Sequence, residues 1–198
     1  MDRAIAFRLM LLKCNGCQFE CELTADYGDI LYQFSLNCES DNRGNVLFTV
    51  SAPESIAGIT GSISSSGGNI KFDDTLLGFP ILSEDLPTPL SAPWLFITGL
   101  RSGYIRASDI DNGKLMMTIA DTYEEDPIIM NIHFDKQECP AFCEFIWNGR
   151  RILSMEINSF TYLYQTVAFT IEYIATHRIK RYVRGILFSP RYIETVVA

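Results

Sequence analysis

The sequence predicts a mainly β protein of the α+β kind, built on an antiparallel sheet with one apolar face. Three observations predict it. Cys17, Phe19, Cys21, Leu23 and Ala25 alternate with Gln18, Glu20, Glu22 and Thr24. Ile30, Tyr32, Phe34, Leu36 and Cys38 repeat the same period of two, which is the signature of half-buried strands. Between two such strand-rich halves, residues 91–100 are apolar nearly all round, as expected of a helix that covers the greasy side of a sheet.

The elements follow in order. Asp2 is suited to cap a short helix over residues 3–13, closed by Asn15-Gly16, with Ile5, Leu9 and Leu12 on one face. A hairpin comes next. A two-residue turn at Tyr27-Gly28 sets Cys17 opposite Cys38, Phe19 opposite Leu36, Cys21 opposite Phe34, Leu23 opposite Tyr32 and Ala25 opposite Ile30. Asp41-Asn42-Arg43-Gly44 is a polar turn before a third strand, Asn45–Ser51. A fourth strand ends about Ser64, a Ser/Gly turn spans 64–68, and Asn69–Asp73 is a further strand. Gly58 and Gly61 read as a bend or bulge in a curved sheet. After an apolar segment over 76–82 and a Pro-rich stretch, Ser91 stands at the start of the lid helix, which ends near Gly103. Five strands follow, within 103–157, separated by turns that include Asp111-Asn112-Gly113 and the hairpin pair Asn148-Gly149. Residues 167–173 alternate as another strand. Beyond Thr176 the period becomes helical, with Arg178, Lys180, Arg181 and Arg184 on the face opposite Ile179, Tyr182, Val183 and Ile186. That basic amphipathic stretch is a candidate membrane or partner contact, or a solvated tail packed on an acidic body.

Composition narrows the function classes. The formal charge of −8 argues against a nucleic-acid partner, which would need a basic face. The charge is uneven: residues 160–198 carry five basic against two acidic side chains, and the remainder carries −11. The amino-terminal stretch is apolar but charged at Asp2, Arg3, Arg8 and Lys13 and has no signal-peptide cleavage pattern. The six cysteines read first as buried free thiols. The hairpin register also makes Cys17–Cys38 a candidate cross-strand disulfide. Cys17 and Cys21 share one strand face about 13 Å apart, too far to share a zinc ion. No catalytic group stands out. His133, weighed as a general base with Cys143 or Asp135, lies between apolar neighbours on a strand, and no nucleophile motif surrounds Cys143. The acidic run Asp121, Glu124, Glu125 and Asp126 lacks calcium-loop spacing. No enzyme, metal or cofactor is expected.

The segments Ile132-His133-Phe134-Asp135, Cys139-Pro140-Ala141, Glu144-Phe145-Ile146-Trp147-Asn148-Gly149-Arg150-Arg151-Ile152 and Glu156-Ile157-Asn158-Ser159-Phe160 resemble the closing strands of the LolA/LolB-like lipoprotein-carrier superfamily. The leading helix, the long first hairpin and Ala52-Pro53-Glu54-Ser55-Ile56-Ala57-Gly58-Ile59 share the likeness, which is nearest to GerS-like lipoproteins of Gram-positive bacteria. The resemblance covers about residues 3–160, so the domain organisation expected is a half-barrel over 1–160 with residues 161–198 as a strand and basic helix, part of it or appended. It implies an incomplete, curved antiparallel barrel plugged by helices, with an apolar cavity between them. Phe19, Leu23, Tyr32, Phe34, Phe48, Trp94, Phe96, Met117, Met130 and Phe134 are the candidates to line that cavity, or else to fill a packed core. The expected function is a non-enzymatic extracytoplasmic binding protein for a lipid or other apolar ligand. The alternative is an envelope or germination-type interaction module with a filled core and a protein partner. Membrane attachment as a lipoprotein would need a lipobox cysteine, which this chain does not display.

Overall fold

The computed structural model describes residues 1–28, 30–83, 86–123 and 126–164. Helix α1 (Asp2–Lys13) leads into strands β1 (Gly16–Asp26), β2 (Leu31–Asp41), β3 (Val46–Ala52), β4 (Thr60–Ser64), β5 (Gly67–Phe72) and β6 (Thr75–Phe79). A two-residue pair, β7 (Leu82–Ser83) with β8 (Leu86–Pro87), and a 3-10 turn at Pro89–Ser91 precede helix α2 (Ala92–Ser102). Strands β9 (Tyr104–Asp111), β10 (Lys114–Ala120), β11 (Ile129–Phe134), β12 (Pro140–Trp147) and β13 (Arg150–Leu163) complete the described chain. Eleven of the strands form one sheet in the order β6-β5-β4-β3-β2-β1-β13-β12-β11-β10-β9. Every pairing is antiparallel, and β1 against β13 joins the two meanders. Among the described residues strands β6 and β9 are the two edges and do not pair with each other, so the sheet is not closed into a barrel.

The connection between those two edges carries α2, which therefore lies across one face of the sheet. It is buried almost throughout: Ala92, Leu95, Phe96, Ile97 and Leu100 all belong to the core. Phe96 meets Phe19 at 5.6 Å between ring centroids, and Gly99 lets the helix settle onto Met130, where a Cβ would stand 2.3 Å from the methyl carbon. Helix α1 packs beside it, Phe7 edge-on to Phe134 at 4.7 Å. Each helix receives an arginine from the other. Arg8 donates from Nε to the Leu100 carbonyl at 2.8 Å and from Nη2 to that of Gly99 at 3.1 Å, while Arg101 donates to the Leu11 carbonyl at 3.3 Å. Both guanidinium groups thus bind carbonyls of a helix's last turn, where Gly99 also accepts from the Gly103 amide and Leu11 from the Cys14 thiol.

Three expectations are corrected. The hairpin register is displaced by two residues: Cys17 faces Ser40, Phe19 faces Cys38, Cys21 faces Leu36 and Leu23 faces Phe34. The Tyr27 amide donates to the Ile30 carbonyl at 3.1 Å, which continues the displaced register and moves the turn one position further along the chain. An even displacement keeps the same side chains inward, so the apolar face survives while Ile30 and Tyr32 are left exposed beyond it. The Cys17–Cys38 disulfide falls with the register. All six cysteines are free, and Cys17 lies 3.1 Å from the Ser40 hydroxyl. The third correction is α1's orientation: it buries Ala4, Phe7 and Leu11, leaving Ile5, Leu9 and Leu12 in solvent. Two apolar stripes compete on this helix, and the one holding the phenylalanine faces inward. The helix also starts from Met1 with no side-chain cap, and Gly16 opens β1.

Strand β13 runs through residue 160 to Leu163, paired with Gly16. The expected strand over 167–173, the basic helix with Arg178, Lys180, Arg181 and Arg184, and Glu124 and Glu125 lie outside the described residues. No helix among the described residues is long and apolar enough to cross a membrane.

Candidate functional site

The helices do not cover the whole inner face. Beside α2, on the side of strands β2–β6, an apolar groove of about 440 Å³ remains open. Its floor is Phe34, Phe48, Val50, Ile70 and Phe79 from the sheet. Tyr27 and Tyr32 from the first hairpin stand at one end, Ile56 and Ile59 from the segment after β3 at another, and Thr88, Pro89 and Leu90 of the 3-10 turn form the roof. Among the described residues no acidic or basic side chain lines it. The volume is in the ordinary range for small-molecule sites, about 300–1,000 Å³.

Each wall has a local cause. Pro89 preorganises the turn that precedes α2, and Ser91 donates its hydroxyl to the Thr88 carbonyl at 2.7 Å, so the roof is pinned to the helix start. The Tyr27 hydroxyl donates to the Pro87 carbonyl, which ties the first hairpin to the same segment. Burial, reinforced by the neighbouring Tyr32, pushes the Tyr27 phenol up to about 12, so it stays neutral and a donor under all ordinary conditions. On the floor two phenylalanines lie over glycines. Phe48 pairs across the ladder with Gly61 and Phe79 with Gly68. A Cβ on Gly61 would come within 2.3 Å of the Phe48 ring, and one on Gly68 within 2.1 Å of the Phe79 ring. Both rings therefore rest directly on backbone, and the space above them stays open.

The ten proposed cavity residues separate into two groups. Tyr32, Phe34 and Phe48 line the groove. Phe19, Leu23, Phe96, Met117, Met130 and Phe134 are buried in the core between sheet and helices, and Trp94 is half-buried against that core. The groove residues contributed by the chain between β3 and α2 (Ile56, Ile59, Ile70, Phe79, Pro89, Leu90) went unnoticed in the sequence. The signal for one of them was there: a glycine inside a strand pattern marks close approach, and Gly68, beneath Phe79, is such a position.

A second concavity, of about 750 Å³, lies on the outer face. Two cross-strand rows build it. One runs Ser159, Glu20, Asn37, Thr49, Thr60, Lys71; the other runs Thr161, Gln18, Glu39, Leu47, Ser62, Asn69. Gln18 donates to Glu39 at 2.9 Å within it.

The residues weighed for chemistry are kept apart. His133 pairs with Phe142 and Cys143 with Ile132, so the imidazole and the thiol project from opposite faces. Burial raises the Cys143 thiol well above its ordinary value, which disfavours the thiolate a nucleophile needs. Asp135 accepts from the amides of Gln137 and Cys139 at 2.8 and 2.9 Å, closing a turn. Among the described residues no three His, Cys, Asp or Glu side chains are placed to hold a metal ion.

No protein family's sequence profile matches the chain, and no curated protein sequence matches it. Among solved structures the chain is similar to an uncharacterised conserved protein from Thermus thermophilus, at TM-score 0.46 and 9% identity over 83% of this chain and 88% of that one. It is also similar to a LolA superfamily protein from Nitrosomonas europaea, at TM-score 0.41 and 6% identity over 82% and 94%. A chain of the CwlD amidase–GerS lipoprotein complex from Clostridioides difficile matches at TM-score 0.42 and 12% identity over 81% and 94%.

Proposed function

We propose that this protein is an extracytoplasmic, non-enzymatic binding protein that holds the hydrocarbon part of a lipid or similar apolar ligand in the groove between strands β2–β6 and the turn before α2. One observation carries the reading: an open groove of about 440 Å³ with an apolar floor, walls and roof and, among the described residues, no charged side chain in its lining. The packed core elsewhere is closed, so this is where an apolar guest gains most. Burying about ten methylenes gives roughly 8 kcal/mol gross. Association costs about 4 kcal/mol or more, so roughly 4 kcal/mol remains, which corresponds to millimolar-class binding by the hydrocarbon alone. The sequence likeness to LolA-like carriers supports the location outside the cytoplasm.

The test is organic extraction of the natively purified protein followed by mass spectrometry, with uptake of a hydrophobic dye by delipidated protein. A co-purified lipid, or dye uptake lost in Ile59→Glu, supports the reading; neither adduct nor uptake overturns it. In the second case the outer-face concavity, with its two polar rows, favours the interaction-module reading, in which an envelope protein is the partner.

A further inference from the structure

We infer that Gly68 sets how long a hydrocarbon chain the groove accepts, by letting the ring of Phe79 lie flat on β5. The inference rests on the reading of the groove as a ligand site. Gly68 and Phe79 are direct cross-strand partners at the open edge of the sheet. Gly68 is buried, and the place its Cβ would occupy is taken by the tip of that ring: Cζ stands 2.1 Å away, Cε1 and Cε2 2.5 Å. Phe79 is at the same time part of the groove floor.

The direction of the consequence follows from strand geometry. A Cβ on an inward-facing strand residue points off the sheet. The ring tip would have to rise from 2.1 Å to ordinary contact near 3.4 Å, away from the sheet and into the groove. The three atoms nearest the added methyl at Gly68 all belong to the Phe79 side chain, so the ring is what must move first. Gly61 differs. Its Cβ would also meet the Asn69 carbonyl oxygen at 2.5 Å, so a methyl there strains the backbone itself. Gly68 is therefore the position where groove depth can change without loss of the fold.

The experiment measures displacement of anilinonaphthalene sulfonate by octanoate, dodecanoate and hexadecanoate from delipidated protein. Wild type should bind the longer chains more tightly. Gly68→Ala should bind hexadecanoate about tenfold more weakly, the cost of excluding roughly two methylenes. Octanoate affinity should be unchanged, and so should the thermal midpoint. Phe79→Leu should shift the preference towards longer chains, and the double variant G68A/F79L should regain hexadecanoate binding. Equal affinity of Gly68→Ala and wild type for all three acids, a uniform loss across them, or no rescue by F79L would overturn the inference alone. Wild type taking up neither dye nor acid would instead overturn the reading of the groove.

Discussion

Phe96→Ala asks whether α2 is part of a solid core or the roof of a cavity. Phe96 is fully buried, edge-on to Phe19 at 5.6 Å and to Phe160 at 6.5 Å. Removing a buried phenyl group forfeits roughly 2–3 kcal/mol of transfer free energy. The surrounding rings are fixed by the sheet on one side and by α2 on the other, so little of the space collapses. A residual void on the order of 80 Å³ costs about 2 kcal/mol more. The expected loss is therefore about 4 kcal/mol, or a fall of about 10–15 °C in thermal midpoint for a domain of this size. Urea denaturation followed by the fluorescence of Trp94, two residues away, measures it. A loss below about 1.5 kcal/mol would refute the reasoning, because it would mean that the ring fronts open space instead of packed neighbours.

Four further outcomes are expected. Arg8→Met leaves the Leu100 carbonyl without its donor and the Gly99 carbonyl with the Gly103 amide alone, and should cost about 2 kcal/mol, read by chemical denaturation. Gly61→Ala should destabilise more than Gly68→Ala, because a backbone oxygen as well as a ring stands in the way; thermal midpoints of the two variants decide it. Stability should fall as pH rises from about 9 to about 11. Burial pushes the Cys17 thiol up to about 11 from an ordinary 9.0, so its neutral form is favoured in the fold and that advantage fades across this window; urea midpoints against pH in wild type and Cys17→Ala measure the difference. Asp41 works in the opposite sense. Its slight burial raises its pKa, but hydrogen bonds from the Asn45 side chain and the amides of Arg43, Asn45 and Gly44 outweigh this and lower it overall. Stability present near neutrality should therefore be lost below about pH 4, and Asp41→Asn should flatten that acid limb.

Strand periodicity made the sheet legible. The inward set Cys17, Phe19, Cys21, Leu23 and Ala25 is buried as the alternation requires, and turns such as Asn148-Gly149, at φ 49 and 72, close where the residue types demand left-handed backbone. Register was not legible, because alternation constrains only parity. A shift by two residues is invisible to a period of two, and the position of the turn, one residue further along, decides it. On α1 the pattern held two apolar stripes, and nothing local says that Phe7 and Leu11 outrank Ile5, Leu9 and Leu12. The groove was half legible for a related reason. Tyr32, Phe34 and Phe48 sit on strands whose faces could be read, whereas Ile59, Leu90 and Phe79 enter through a turn, a proline-led coil and an edge strand. Their convergence is a property of the long-range pairing. The residues that keep the groove open, Gly61 and Gly68, act by lacking a side chain.

The crossed arginines of α1 and α2 tie two distant stretches of sequence into a single unit of opening. Fraying the end of either helix strips the other of a capping guanidinium, so loosening one weakens the carbonyl contacts of both. Amide protons near Leu11 and near Leu100 should then exchange with solvent at one common rate.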